Sequence, residues 1–155
     1  GKKEIKTTFA KTGQKISFSD DSHFLIFWPE EKFKSKDTND FSIVAKLSFG
    51  DMEFLFTGDA PQEIEYQLLA KNFDLESEIL KIGHHGSKYS TTEYLLERVS
   101  PEVAIISVGK NTYGHPAQEV LDNLQKYDIT IYRTDENGDI KIISNGKNYQ
   151  VETER

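Results

Sequence analysis

Residues 79–93 run Ile79-Leu80-Lys81-Ile82-Gly83-His84-His85-Gly86-Ser87-Lys88-Tyr89-Ser90-Thr91-Thr92-Glu93. A short apolar run, Ser77 to Ile82, leads through a glycine-bounded histidine pair into Ser90-Thr91-Thr92-Glu93, a capping box that opens a helix through Val99. Strand, loop and helix in so short a span form the repeating unit of an α/β fold. The alternation continues on both sides. Upstream, Pro61 to Phe73 places Ile64, Leu68 and Leu69 on one face of a helix that starts at a proline. Downstream, Glu102 to Val108 is nearly all apolar, as in a strand buried on both faces. Pro116 to Tyr127 is a third helix with Val120, Leu121 and Leu124 inward. Ile129 to Arg133, Asp139 to Ile143 and Asn148 to Glu152 are late strands, with Asn137-Gly138 and Asn145-Gly146 as hairpin turns between them. The first third is all strand: Gln14 to Ser19, His23 to Trp28, then Phe41 to Phe49 with apolar residues at period two. Gly50-Asp51 turns that last strand back into Met52 to Phe56, while Glu30 to Asp40 is a charged connection without periodicity. The composite is an α/β sandwich with a mixed sheet, one domain over residues 1–155.

Composition narrows the function. A chain of 155 residues has the size of one domain with its own core, and ten Phe and seven Tyr supply enough large apolar surface to exclude global disorder. Nineteen Lys and Arg against 26 Asp and Glu give a net charge of −7, which excludes a protein that coats nucleic acid by bulk electrostatics. No apolar run reaches the length of a membrane span, and Gly1-Lys2-Lys3-Glu4 has no apolar stretch like a signal peptide, so the chain itself is expected to be soluble. The absence of cysteine rules out disulfides, thiolate zinc sites and thiol nucleophiles. Metal chemistry would have to use histidines and carboxylates.

Three segments each follow an expected strand: Thr57-Gly58-Asp59, Gly83-His84-His85-Gly86-Ser87 and Tyr113-Gly114-His115-Pro116. Loops at the carboxyl ends of strands gather along one edge, where ligands of α/β folds bind. Each residue also has a plainer role open to it. Asp59 lies two residues before Pro61 and can cap a helix, and His115 can be an ordinary residue ahead of one. His84-His85 is different, because flanking glycines let the backbone approach a ligand and imidazole is a common zinc donor. His23, far from these loops in sequence, is read as structural.

Four ordered segments carry a wider similarity: Phe54-Leu55-Phe56-Thr57-Gly58-Asp59, Ile79 to Ser87, Ile105 to Asn111 with Tyr113-Gly114-His115-Pro116, and Tyr132 to Gly138. Together they resemble the metallo-β-lactamase fold hydrolases, in particular the branch forming the soluble domain of ComEC-type DNA-uptake proteins and related secreted phosphodiesterases. The resemblance covers roughly residues 14 to 145. It implies a four-layer αββα sandwich with two zinc ions, or manganese, at one edge. By that likeness Asp59 would bridge the two metals and His84 would ligate one. His85 and His115 would be catalytic, acting on the substrate as hydrogen-bond donors or general acids, with Ser87 and Lys88 flanking the phosphate. Two cations that share a hydroxide lower its pKa and clamp the charge that develops as an ester is attacked.

The family's His-x-His-x-Asp-His loop does not occur in the sequence, which holds only four histidines. The chain therefore resembles the carboxyl-terminal half of that fold. The favoured expectation is a piece whose amino-terminal half is absent. A natural half that pairs with another chain and a domain that has lost metal binding are the alternatives. The function expected is part of a metal-dependent hydrolase cleaving phosphodiester bonds, DNA during uptake in competence. The alternative is a non-catalytic module serving as a binding or assembly surface, with no metal in this chain. By the resemblance the parent would be membrane-associated and present this domain outside the cell. A missing half would also leave an apolar face exposed and favour a homodimer.

Overall fold

The computed structural model describes residues 7–155; the charged start Gly1 to Glu4 lies outside them. Four helices and a mixed sheet make the architecture α/β. A seven-stranded sheet runs in chain order, β1 (Lys15–Ser17), β2 (Ser22–Trp28), β3 (Val44–Phe49), β4 (Met52–Phe56), β5 (Ile79–Lys81), β6 (Val103–Ile106) and β7 (Thr130–Arg133). The first four strands are antiparallel and the last four parallel. The switch follows from the connections, because a two-residue turn at Gly50-Asp51 can only reverse the chain, whereas a crossover helix returns it in the same direction. Those crossovers are α1 (Gln62–Leu69), α2 (Glu93–Val99) and α3 (Gln118–Lys126), followed by a single helical turn, α4 (Thr134–Asn137). A separate hairpin, β8 (Ile140–Ser144) and β9 (Tyr149–Thr153), completes the chain.

Alternation along the strands divides the side chains between two faces. Leu55, Leu80, Ile82, Ala104 and Ile106 point one way and pack with Ile64, Leu68, Leu95, Leu96, Val99, Val120 and Leu124 of the helices to form the main core. Ile79, Val103 and Ile105 point the other way and meet Phe54, Tyr132, Ile140, Ile142 and Tyr149, so β8 and β9 cover that end of the second face. Toward β1 to β4 no described residue covers the second face. There Phe18, Phe24, Leu47, Phe49, Phe54 and Phe56 line an apolar groove of about 690 Å³.

Several expected boundaries shift for identifiable reasons. Phe41 leaves the strand expected from Phe41 to Phe49, because it lies in a 3-10 turn, Asn39–Phe41, and packs on Phe33, ring centroids 5.3 Å apart. The Trp28 indole N–H holds that turn by donating to the Asp40 carbonyl at 2.6 Å. The helix expected to reach Phe73 ends at Leu69, and Phe73 stacks on Phe27 instead. The helix expected from Pro116 begins at Gln118. The cap of α2 is Thr92, whose hydroxyl accepts from Leu95 N–H; Ser90 instead donates to the Gly83 and Ser87 carbonyls. Asn145-Gly146 does turn the β8–β9 hairpin, but Asn137-Gly138 closes α4, with Asn137 Oδ1 accepting from Arg133 N–H.

Candidate functional site

Strands β4, β5 and β6 end at one edge, and the loops that follow carry Asp59, then His84 and His85, then His115. The first two loops are tied together directly. His84 N–H donates to the Gly58 carbonyl at 3.0 Å, and the Thr57 hydroxyl donates to the Lys81 carbonyl at 3.2 Å. A Cβ on Gly83 would lie 2.9 Å from Thr57 Oγ1, so this approach requires glycine. The third loop rests on Gly86, whose carbonyl accepts from Ala117 N–H at 2.8 Å and whose missing Cβ would meet Pro116 Cβ at 2.7 Å. Between the two glycines, His84 and His85 both take left-handed backbone, φ 48° and 57°. Each such non-glycine residue costs about 1–2 kcal/mol, so the surrounding bonds hold this turn against local preference.

The result is a histidine cluster. His84 and His115 meet edge to face with ring centroids 5.9 Å apart, and the Nδ1 of each is buried with no hydrogen-bond partner among the described residues. Burial, then the nearness of His84 and His85, holds His115 below the ordinary histidine range, so its ring is neutral at pH 7. His85 is exposed, and its Nδ1 lies 2.7 Å from the Ser107 carbonyl. A carbonyl can only accept, so Nδ1 carries a proton and Nε2 is the nitrogen left to exchange one. Histidines used as ligands or bases are oriented by such a bond.

Asp59 follows Gly58, whose carbonyl accepts from the His84 amide. The Asp59 amide donates to Ser42 Oγ at 3.1 Å, and no side chain caps α1, whose first flanking residue is Pro61, so the capping role open to Asp59 in the sequence is not the one it takes. Lys81, on the second face of the sheet, is depressed in pKa by burial while the Asp59 charge opposes that fall. Ser87 is buried, and its hydroxyl accepts from Tyr89 N–H at 3.3 Å. Lys88 is exposed, with its ammonium 5.0 Å from the Tyr89 ring, and lines a groove with Gln62, Tyr66 and Glu93 on the helical side. His23 sits within β2, opposite Ser48, away from the edge.

Two residues not singled out from the sequence organise the edge. Asn111 holds the third loop with both ends of its amide: Nδ2 donates to the Gly109 and His115 carbonyls, and Oδ1 accepts from the Tyr113 and His115 amides. An asparagine three residues ahead of a glycine, a pairing typical of turns, is the available sequence signal. Glu65, wholly buried in α1, accepts from the Thr91 and Thr92 amides and so fixes the segment after the histidines. Its signal was a carboxylate on the apolar face between Ile64 and Leu68.

Among the described residues, no three His, Asp or Glu side chains come together as a group able to hold a metal ion. A catalytic metal takes about three protein ligands, so Asp59, His84, His85 and His115 alone do not fit a two-metal centre.

Known proteins share the chain's sequence. ComE operon protein 3 of Bacillus subtilis is 39% identical over 122 residues, 78% of this chain and 16% of that protein. Recombination protein 2 of Haemophilus influenzae is 37% identical over 121 residues, covering 77% and 15% respectively. Competence protein ComA of Neisseria gonorrhoeae is 37% identical over 117 residues, 74% and 17%. The names of these relatives indicate a competence family. The chain spans about a sixth of the length of the curated relatives it matches. No family model matches it. No helix among the described residues is long and apolar enough to cross a membrane.

Proposed function

We propose that this chain carries part of a phosphodiester-cleaving site in a competence protein, acting on DNA during uptake, on a metallo-β-lactamase-like frame. The observation that supports it is the convergence of Asp59, His84, His85 and His115 at one sheet edge, with two buried imidazole nitrogens left unpartnered among the described residues. An unpartnered buried polar atom costs stability, and such atoms persist where a ligand completes them. His85 Nε2 takes a proton from an attacking water or, once protonated, returns one to the leaving oxygen. The neutral His115 ring donates to a phosphate oxygen, and Lys81 beside Asp59 supplies a local cation that the net charge of −7 does not. Zinc or manganese dependence requires donors beyond those that come together among the described residues. We assign them to other parts of a whole protein that is membrane-associated and presents this segment outside the cell.

The alternative, a non-catalytic binding or assembly module, is favoured by the lack of any three-donor group among the described residues. Elemental analysis of the full-length protein after incubation with zinc or manganese and exhaustive buffer exchange, beside its His84→Ala variant, separates the two. Stoichiometric metal that the variant loses, with phosphodiester cleavage by the full-length protein, supports the hydrolase. No retained metal, and no cleavage by the full-length protein, supports the module.

A further inference from the structure

Tyr113 is the most exposed of the chain's exposed tyrosines at 83%, yet its backbone is anchored. Its amide is held by Asn111 Oδ1 at 3.0 Å, the same oxygen that holds the His115 amide at 3.1 Å, and Asn111 Nδ2 pins the His115 carbonyl at 2.7 Å. The ring lies nearly parallel to that of His115, 22° between planes and 5.9 Å between centroids. His115 in turn packs on His84. One face of the tyrosine is therefore turned to the histidine cluster and the rest is open to solvent. A large aromatic ring so exposed contributes little to the fold, and the Asn111 bonds order the backbone that carries it, which lowers the cost of ordering the loop on binding.

We infer that Tyr113 is a stacking platform for a nucleobase at the lip of the histidine cluster, so that the ligand is a single-stranded oligonucleotide and not a bare phosphate ester. The inference rests on the phosphodiester reading above and deepens it. Every base has a π face, so a single aromatic platform binds without regard to sequence and requires an unpaired base. The phosphate next to the stacked base then lies toward His115 and His84. A chain of net charge −7 gains from such stacking in holding a polyanion.

Fluorescence anisotropy tests this with a labelled oligothymidylate and an abasic deoxyribose-phosphate strand of equal length, against the unaltered chain, Tyr113→Ala and Tyr113→Phe. The expected result is tighter binding of the base-bearing strand, weakened about 5- to 150-fold by Tyr113→Ala and retained by Tyr113→Phe, the range for loss of one base–aromatic stack. Irradiation of a 5-iodouracil strand should crosslink at Tyr113, mapped by mass spectrometry. Equal binding of both strands, insensitive to Tyr113→Ala, overturns the platform and leaves the phosphodiester reading standing. Failure of both strands to bind the chain and the full-length protein overturns both. The exposure of Tyr113 keeps the alanine variant folded, which circular dichroism checks.

Discussion

Glu65 shows how a single residue sets the shape of the site from outside it. Its carboxylate is fully buried and takes two backbone amides, Thr91 and Thr92, that no other group serves. Glu65→Ala would leave both amides unpaired in a dry environment, at about 1–3 kcal/mol each, so urea denaturation should show a loss of about 3 kcal/mol. A loss below about 1 kcal/mol would mean that water replaces the carboxylate. The pH dependence follows from the sign of the shift. Burial raises the Glu65 pKa above its ordinary 4.5, and the Thr92 and Thr91 bonds only partly offset it. A folded value above the unfolded one gives a contribution present at acid pH and lost as pH rises through the folded pKa. Asp74 and Asp135, held low by hydrogen bonds from Lys46 and Arg133, act oppositely and lose their contribution as pH falls. Relative to Glu65→Gln, the unaltered chain should therefore lose stability as pH rises above about 4.5. A pH-independent difference between the two would show that Glu65 ionises as freely in the fold as in the unfolded chain.

At the scale of elements, the alternation of strand and helix was legible because burial on both faces leaves continuous apolar runs and one-sided helices, as in Val103–Ile106 and α3. What was not legible depends on contacts distant in sequence. Phe41 fits the period of β3, yet Phe33 and the Trp28 indole draw its turn away. Thr92 caps α2 because Ser90 is engaged by Gly83 and Ser87, an allocation that no local pattern specifies. The glycines of the site were readable as points of close approach, but which surface each approaches was not. Gly86 contacts Pro116 and Gly50 contacts the Gly146 carbonyl, which would stand 2.4 Å from an added Cβ. Gly50→Ala should cost about 2 kcal/mol, from left-handed strain at φ +59 and separation of the β3–β4 and β8–β9 turns. Gly86→Ala should cost a similar ~2 kcal/mol and move the NMR shifts of the His84 and His115 rings while leaving His23 unmoved. Unchanged ring shifts would show that the third loop is held by Asn111 alone.

At the scale of the molecule, the two faces of the sheet are unequally covered among the described residues. Helices close one face, but the hairpin of β8 and β9 reaches only part of the other, leaving Phe18 64% and Phe56 36% exposed. Phe18, Phe24 and Phe56 form a chain of edge contacts, 5.7 Å at each step, so the patch is a continuous aromatic surface. Phe56 also stands opposite Lys81 in the β4–β5 register, and Lys81 senses the charge of Asp59. Whatever covers the patch therefore abuts the edge where donors are short. A second copy of the chain can cover the patch, and sedimentation velocity should then show concentration-dependent dimers that Phe18→Ser with Phe56→Lys abolishes. The net charge of −7 opposes that pairing, so added salt should strengthen it by screening while an apolar dye competes for the same face. A monomer at high concentration that binds no dye would remove the argument for a missing half. On the hydrolase proposal, any further donors to the histidine cluster would then have to reach it without touching the aromatic face.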